Sequence, residues 1–257
     1  MRGPLITRVL GALTLAASAA LAPGAAAEDG ASPWAFEANL YGWSAGFTTK
    51  NSAGDKAILD IPDVLENLRM AGMGGLAVRY DRFGAFGDFI YANLANGVNN
   101  TTSNIIGNPV TRGVHLELES FISTFGGSYE VLDDGRNELR ALAGARYLYV
   151  GTTTTFAVGR PGGGRSRTSV ANGVTWDGIV GLQGRRRLAD DLWITYYGDV
   201  GLGGSDLTWK ADLGFEFNPG AVGLIGGVRY MHWDLDSRSA LKTLSAWGPY
   251  LGAVTRF

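Results

Sequence analysis

TLSAWGPYLGAVTRF, residues 243–257, alternates with a period of two. Trp247, Pro249, Leu251, Ala253, Thr255 and Phe257 fall on one side of an extended chain, and Gly248, Tyr250, Gly252, Val254 and Arg256 on the other. The first side is mainly apolar and the second carries the charge. A strand with this division separates an apolar surround from a polar interior, and the remaining chain is read against that expectation.

At the opposite end, Arg2 and Arg8 precede an apolar run from Val9 to Leu21, and Ala25 and Ala27 form a small-residue cleavage site before Glu28. The run falls short of the roughly 20 residues that a spanning helix needs. Residues 1–27 are therefore expected to be a removable export signal, and residues 28–257 one β-barrel domain. The chain has 257 residues, 46% of them hydrophobic and 18% charged. Those averages conceal a lipid-facing side, because an alternating barrel averages an apolar exterior with a polar lumen. Its 39 glycines favour tight turns and close strand approach over long helices. A net charge of -2 argues against nucleic acid, and the absence of cysteine excludes disulfides and thiolate metal sites.

Along the mature chain, Trp34 to Thr48 alternates Phe36, Ala38 and Leu40 against Glu37, Asn39 and Tyr41. From Lys50 to Arg69 the period becomes helical: Asp60 can cap, Pro62 suits the first turn, and Ile61, Val64, Leu65 and Leu68 form a stripe. Leu76–Tyr80 and Ala85–Leu94 flank a hairpin turn. With Phe83-Gly84 as its two central residues, Arg79 stands opposite Asp88, and Val78, Tyr80, Phe89 and Tyr91 look outwards. Gly97–Arg112 and Val158–Gly173 are expected to be outer loops.

Between those two loops, Val114–Val131 sets His115, Glu117 and Glu119 against Leu116, Leu118 and Ile122. Leu139–Thr154 sets Arg140 and Arg146 against Tyr147 and Tyr149. Further strands are read over Trp176–Gln183, Trp193–Leu202, Leu207–Phe217 and Ala221–Asp234. The total is about ten, or about eight if two segments between Trp193 and Asp234 form an extended outer hairpin. The fold expected is all-β, a transmembrane antiparallel up-and-down barrel with a short helix in its first outer loop. Trp34, Trp176, Trp193, Tyr230, Trp233 and Trp247 suit two aromatic girdles.

The terminal strand resembles the closing strand of bacterial outer-membrane barrels, with Tyr250, Gly252 and Phe257 matching that family's pattern and Thr255 departing from it. The runs IPDVLENLRMAGMGGLAVRYDRFGAFGDFIYANL, YYGDVGLGGSDLTWKA and VRYMHWDLD also look like those of a group of proteobacterial outer-membrane β-barrel proteins of porin-like architecture. The resemblance covers most of the mature chain. It implies an outer-membrane location, with lipid and lipopolysaccharide as surroundings. It also implies periplasmic chaperones and the barrel assembly machinery as partners, the latter through Tyr250, Gly252 and Phe257. It implies no activity and no cofactor.

Arg79, Asp88, Glu117, Glu119, Arg140, Arg146, Asp177 and Arg185 are expected to form a lumen charge network, since charges inside such a barrel must be paired. A metal at His115, Glu117 and Glu119 would need ligands from neighbouring strands, because alternate residues on a strand are about 7 Å apart. No metal site or catalytic set is assigned. His232 and Asp234 are spaced like groups of outer-membrane proteases, without a facing acidic pair. Arg160, Arg165 and Arg167 could hold phosphates or carboxylates of lipopolysaccharide, the alternative being a flexible, solvated loop. The functional expectation is a non-enzymatic barrel with a structural or surface-interaction role. A narrow pore for small solutes is the alternative, and a membrane-embedded hydrolase acting on lipid A or peptides a weaker one.

Overall fold

Backbone N–H and C=O groups in lipid must all find partners within the protein, and this chain provides them by closing a sheet on itself. The computed structural model describes residues 33–51, 56–105, 108–160, 163–235 and 241–257. The export signal expected over residues 1–27 lies outside them.

Ten strands form the ring: β1 (Trp34–Trp43), β4 (Leu68–Tyr80), β5 (Phe83–Ile105), β6 (Asn108–Asp133), β7 (Asn137–Arg160), β8 (Gly163–Ala189), β9 (Leu192–Gly203), β10 (Ser205–Phe217), β11 (Val222–Leu235) and β12 (Leu241–Arg256). Each pairs with its sequence neighbour in the ring, and β12 returns to β1 from Glu37↔Arg256 to Trp43↔Tyr250. The ten-stave expectation holds, and the eight-stave one does not.

Two further strands, β2 (Gly46–Asn51) and β3 (Lys56–Leu59), form a hairpin that the alternation did not reveal. β2 pairs with the upper part of β12, from Trp247↔Gly46 to Leu241↔Asn51. The hand-over from β1 to β2 falls at Ser44 and Ala45, where the Ser44 N–H bonds to the Pro249 carbonyl at 3.0 Å. An antiparallel residue aims its N–H and C=O towards the same neighbour. The N–H that Pro249 lacks would therefore face this interruption, where it removes no ladder bond. The helix α1 (Ile61–Asn67) follows β3, with Pro62 in its first turn and Val64 buried. Asp60 occupies the N-cap position without a side-chain capping bond.

The turns that follow β4, β6, β8 and β10 lie at one end, while Gly204 alone joins β9 to β10 at the other. The first is Asp81-Arg82, with Tyr80 paired to Phe83 and Asp81 at φ 51°. The β6–β7 turn is held by Asp134, whose Oδ1 accepts from Asn137 N (2.6 Å) and Arg136 N (2.9 Å), while Gly135 takes φ 77°. The Asn137 side chain, then these backbone bonds, keep the Asp134 carboxyl below its usual range.

At the other end the strands run on. β5 to β8 are 23, 26, 24 and 27 residues long, against the roughly 9–11 that cross a bilayer. β8 meets β9 only from Asp177↔Gly203 downwards, and β4 meets β5 only from Leu68↔Leu94 downwards. β5–β8 therefore rise past their neighbours as a four-stranded flange. The stretches 97–112 and 158–173 belong largely to these strands rather than to loops, a correction to the sequence reading.

Strand alternation sorts the wall into two faces. Leu76, Val180, Leu202, Leu213, Leu224, Val228 and Leu251 are all exposed and point outwards. An apolar belt of this extent, around a ring closed on itself, is a lipid-facing surface. Rings mark both of its borders. Trp34 with Tyr80 (centroids 4.7 Å apart) and Phe83 with Tyr129 (5.2 Å) lie at the turn end. Tyr147 with Trp176 (4.8 Å) and Trp209 with Tyr230 (4.6 Å) lie at the other. Trp193 and Trp233, expected in the girdles, instead point inwards and are 9% and 0% exposed. The chain is an integral outer-membrane barrel of the up-and-down class.

Candidate functional site

The lumen contains an apolar layer towards the flange and ionic layers towards the tight turns. Trp43, Ile90, Ile122, Leu148, Met231, Trp233, Leu244 and Ala246 fill the first, all buried. Trp43 closes it against the wall by donating its indole N–H to the Gly248 carbonyl at 3.1 Å. Burying side chains of this size contributes roughly 1.5–3 kcal/mol each.

Arg146 bridges the two kinds of layer. It is fully buried and donates to Asp199 (2.5 Å), Thr208 (3.0 Å) and Thr124 (3.3 Å), with its guanidinium 6.0 Å from the Trp233 ring. Below it, Lys210 reaches Asp88 at 2.9 Å and Asp212 at 3.5 Å. Arg229 grips Asp212 through Nε at 3.1 Å to both oxygens and lies 4.9 Å from the Tyr41 ring and 5.4 Å from that of Tyr250. Tyr41 donates to Asp88 at 2.6 Å.

The layer nearest the turns is a chain of pairs. Arg256 bonds Glu37 at 2.9 Å and Glu216 through both guanidinium nitrogens. Arg185 bonds Glu138, and Arg79 reaches Glu37 at 3.4 Å and Glu138 at 3.8 Å. Arg140 bonds Glu130 at 3.0 Å and the Arg82 carbonyl at 2.9 Å. A cavity of about 160 Å³ lies within the ionic region, lined among others by Glu37, Asn39, Asp88, Glu216 and Arg229.

Several expected partners differ. The hairpin turns at Asp81-Arg82 rather than at Phe83-Gly84, so Arg79 faces Gly84, and Asp88 faces Gly75. The two charges remain on the lumen side but find other counter-ions. Glu117 and Glu119 do not enter the lumen network. They stand on the outer face of β6, where Glu117 bonds Arg69 at 2.8 Å and Glu119 accepts from Tyr91 at 3.0 Å. At their height the outside of the barrel is water and the inside is the apolar layer, so the charges face out. Asp177 faces inwards but meets no cation among the described residues. It accepts from Ser205 N (2.7 Å), Ser205 Oγ (2.8 Å) and Thr175 Oγ1 (3.1 Å), pinning the β9–β10 connection. Lys210, Asp199 and Glu216 were missed because their counter-charges come from non-adjacent strands, and Arg229 and Asp212 were missed although they face each other across the β10–β11 hairpin.

Gly144, Gly181 and Gly201 sit on the inner face, each closely approached by its neighbours. A Cβ at Gly144 would press on Phe125 backbone, at Gly181 on Gly198 and Asp199 backbone, and at Gly201 on Ile179 and Thr208 side chains. Gly252 and Tyr250 face inwards from β12, Gly252 against the Leu40 carbonyl and Tyr250 beside Tyr41 at 6.2 Å. Phe257 is exposed. His232 and Asp234 point away from the lumen, and His232 Nδ1 is 2.8 Å from Ser245 Oγ. Among the described residues no three acidic or histidine side chains converge as a metal set. The side chains of His115, Arg160 and Arg165 lie outside the described set, and Arg167 is exposed.

A closed ten-stave ring with a lipid belt and a filled lumen defines the class, an integral barrel of the Gram-negative outer membrane. No protein-family model matches the chain, and no curated protein matches it by sequence. Among solved structures it is similar to the outer membrane protease OmpT from Escherichia coli, at 10% identity and TM-score 0.48, covering 87% of this chain and 96% of that one. It is also similar to Ail, the attachment invasion locus protein of Yersinia pestis, at 14% identity and TM-score 0.36, covering 88% and 99%. The translocator domain of the autotransporter NalP from Neisseria meningitidis gives 17% identity and TM-score 0.38, covering 87% and 88%.

Proposed function

We propose that this protein is a non-conducting outer-membrane barrel with a structural or surface-interaction role, its flange presented to the medium. The observation that carries the reading is the apolar layer across the lumen, where Met231, Trp233 and Ala246 are each 0% exposed. A solute or hydrated ion crossing that layer would have to displace close-packed side chains. Below it the charges are spent on one another, which favours a rigid closed interior over a polar pathway. The narrow-pore alternative draws support only from the cavity among the lower pairs, which the apolar layer caps. Lipid and lipopolysaccharide surround the belt in this reading. β12 is the strand that the assembly machinery grips, through Tyr250, Gly252 and Phe257, after delivery by periplasmic chaperones.

Purified barrel inserted in planar bilayers is expected to give no current steps above the bare-membrane baseline at moderate voltage. Reproducible steps of one size, abolished by unfolding the protein, would sink the non-conducting reading and favour the pore.

A hydrolase reading rests on the His232–Ser245 contact on the outer wall. A serine nucleophile needs a base that is itself oriented by a third group. Asp234 lies two residues along the same strand from His232, about 7 Å away and not across from it. No covalent labelling of Ser245 by a fluorophosphonate is expected, and stoichiometric labelling would reverse the assignment.

A further inference from the structure

The β2–β3 hairpin extends the outer wall next to β12, and the ladder fixes which of its residues face outwards. On β12 Trp247 is exposed on the outside while Leu244 and Ala246 are buried in the lumen, so Thr243 and Ser245 share the side of Trp247. Residues directly opposite one another on a ladder share a face. Ser245 pairs with Thr48, which pairs with Ile58; Thr243 pairs with Lys50, which pairs with Lys56. Phe47, one residue along, packs against the apolar layer of the lumen, as the alternation requires. From the belt upwards, this strip of wall passes the Tyr230–Trp247 row, then His232, Ser245, Thr48 and Ile58, and ends on Lys50 and Lys56. Both lysines are exposed, and neither has a counter-ion among the described residues. Like charges directly opposite on a ladder, with Cβ atoms about 5 Å apart, destabilise the pair. Asp234 shares their row but lies two strands from Lys50, about 10 Å away, and three strands from Lys56.

We infer that this strip docks a phosphate-bearing lipid of the outer leaflet, its phosphate held between Lys50 and Lys56 and its acyl chains laid over Ile58 and Trp247. The inference rests on the reading that the flange end faces the medium, and it gives that wall a ligand. The order of chemistry along the strip carries it. Lys50 stands about 14 Å along the strand above the Gly46–Trp247 row, where the apolar belt ends. A lysine stem lies along an apolar wall while its ammonium stays in water, which sets the two charges at headgroup height. An ammonium group binds phosphate as a point charge, and one phosphate between two of them removes their mutual repulsion. Thr48, one row below Lys50, offers a hydroxyl to the same headgroup, whereas Ser245 Oγ is already engaged 2.8 Å from His232 Nδ1. A free phosphate would use only the lysines. Ile58, one row below Lys56, and Trp247 are both exposed, and a lipid presents its anion and its apolar chains in the same order as the strip.

The test uses the full barrel in non-ionic detergent micelles, titrated with bisphosphorylated lipid A and read by native mass spectrometry as lipid retained on the barrel. Fully dephosphorylated lipid A is the control lipid, and inorganic phosphate the competitor. The expected result is retention of the phosphorylated lipid, weakened by salt and not displaced by inorganic phosphate at the same concentration. Affinity falls at least about tenfold in Lys50→Ala with Lys56→Ala, each lysine near an anionic surface contributing roughly a factor of five. Lys50→Arg with Lys56→Arg keeps the charges and should keep the binding. Arg69→Ala with Arg186→Ala removes two other exposed cations, one at each end of the barrel, and should leave binding unchanged. Folding of every variant is checked by its heat-modifiable gel mobility. Unchanged binding in the folded double-alanine lysine variant, equal loss in the Arg69/Arg186 control, or equal retention of dephosphorylated lipid A overturns the proposal. So does displacement by inorganic phosphate, which would make the lysines a site for the free anion. Lysine-independent binding beside a silent bilayer would sink this inference and leave the non-conducting reading standing. Current steps beside lysine-dependent retention would do the reverse.

Discussion

Arg146→Met is expected to destabilise the barrel by about 3–5 kcal/mol, the usual cost of removing one member of a buried ion pair. Urea unfolding in lipid or detergent, followed by tryptophan fluorescence, would measure it. The guanidinium is fully buried and holds Asp199, Thr208 and Thr124 from three different strands. Without it Asp199 stays in the lumen with the Tyr197 hydroxyl at 2.5 Å and no neighbouring cation within bonding distance among the described residues. An uncompensated carboxylate in that setting is worse than none. Arg146→Met combined with Asp199→Leu should therefore lose less than Arg146→Met alone, because the double change removes the orphaned charge as well as its partner. A single variant within about 1 kcal/mol of the parent would show that the pair is solvated and that the lumen is wetter than its packing implies.

Gly248→Ala should impair closure of the ring, with Gly42→Ala as its control. A Cβ at Gly248 would collide with the Ser44 carbonyl and lie 3.1 Å from the Ala45 Cα, both backbone atoms that cannot rotate away. The strand pair there must move apart, at a cost of about 1–3 kcal/mol or more. Gly42, near by on β1, has nothing within 4 Å of its added Cβ, so its alanine variant should stay within about 0.5 kcal/mol. The folded fraction after refolding into micelles, read by heat-modifiable mobility, separates the two. Equal yields would mean that the β1–β2 hand-over has more slack than its geometry allows.

The fold was legible in the sequence where one side of a strand meets lipid and the other meets charge. β12 and the lower part of β7 meet that condition, and their alternation placed Tyr250, Val254, Arg256, Arg140 and Arg146 on the inner side that they occupy. The rule inverts above the bilayer. There the outer face is wet and the inner face packs against Ile122 and Leu148, so Glu117 and Glu119 turn outwards although their spacing equals that of lumen carboxylates lower down. Higher still both faces are wet, and Asn, Thr, Gly and Arg without any apolar period look like loop while pairing as strand.

Counter-ions were the least legible feature. Lys210 reaches Asp88 and Arg256 reaches Glu216 across the ring, and no single strand contains both halves of such a pair. A two-residue displacement of one turn kept Arg79 and Asp88 on their side and changed every partner they met. Trp193 and Trp233 resemble belt residues by composition. Arg185, 4.4 Å from the Trp193 ring, and Arg146, at Trp233, show why they belong inside.

The final strand meets β1 below Gly248 and β2 above it, so the wall is joined there by two short splices in series rather than one long weld. Tension that peels the β2–β3 hairpin from the upper splice finds no continuous zipper to run down. The lower splice, from Glu37 to Trp43, keeps the ring whole, and damage at the mouth stays at the mouth.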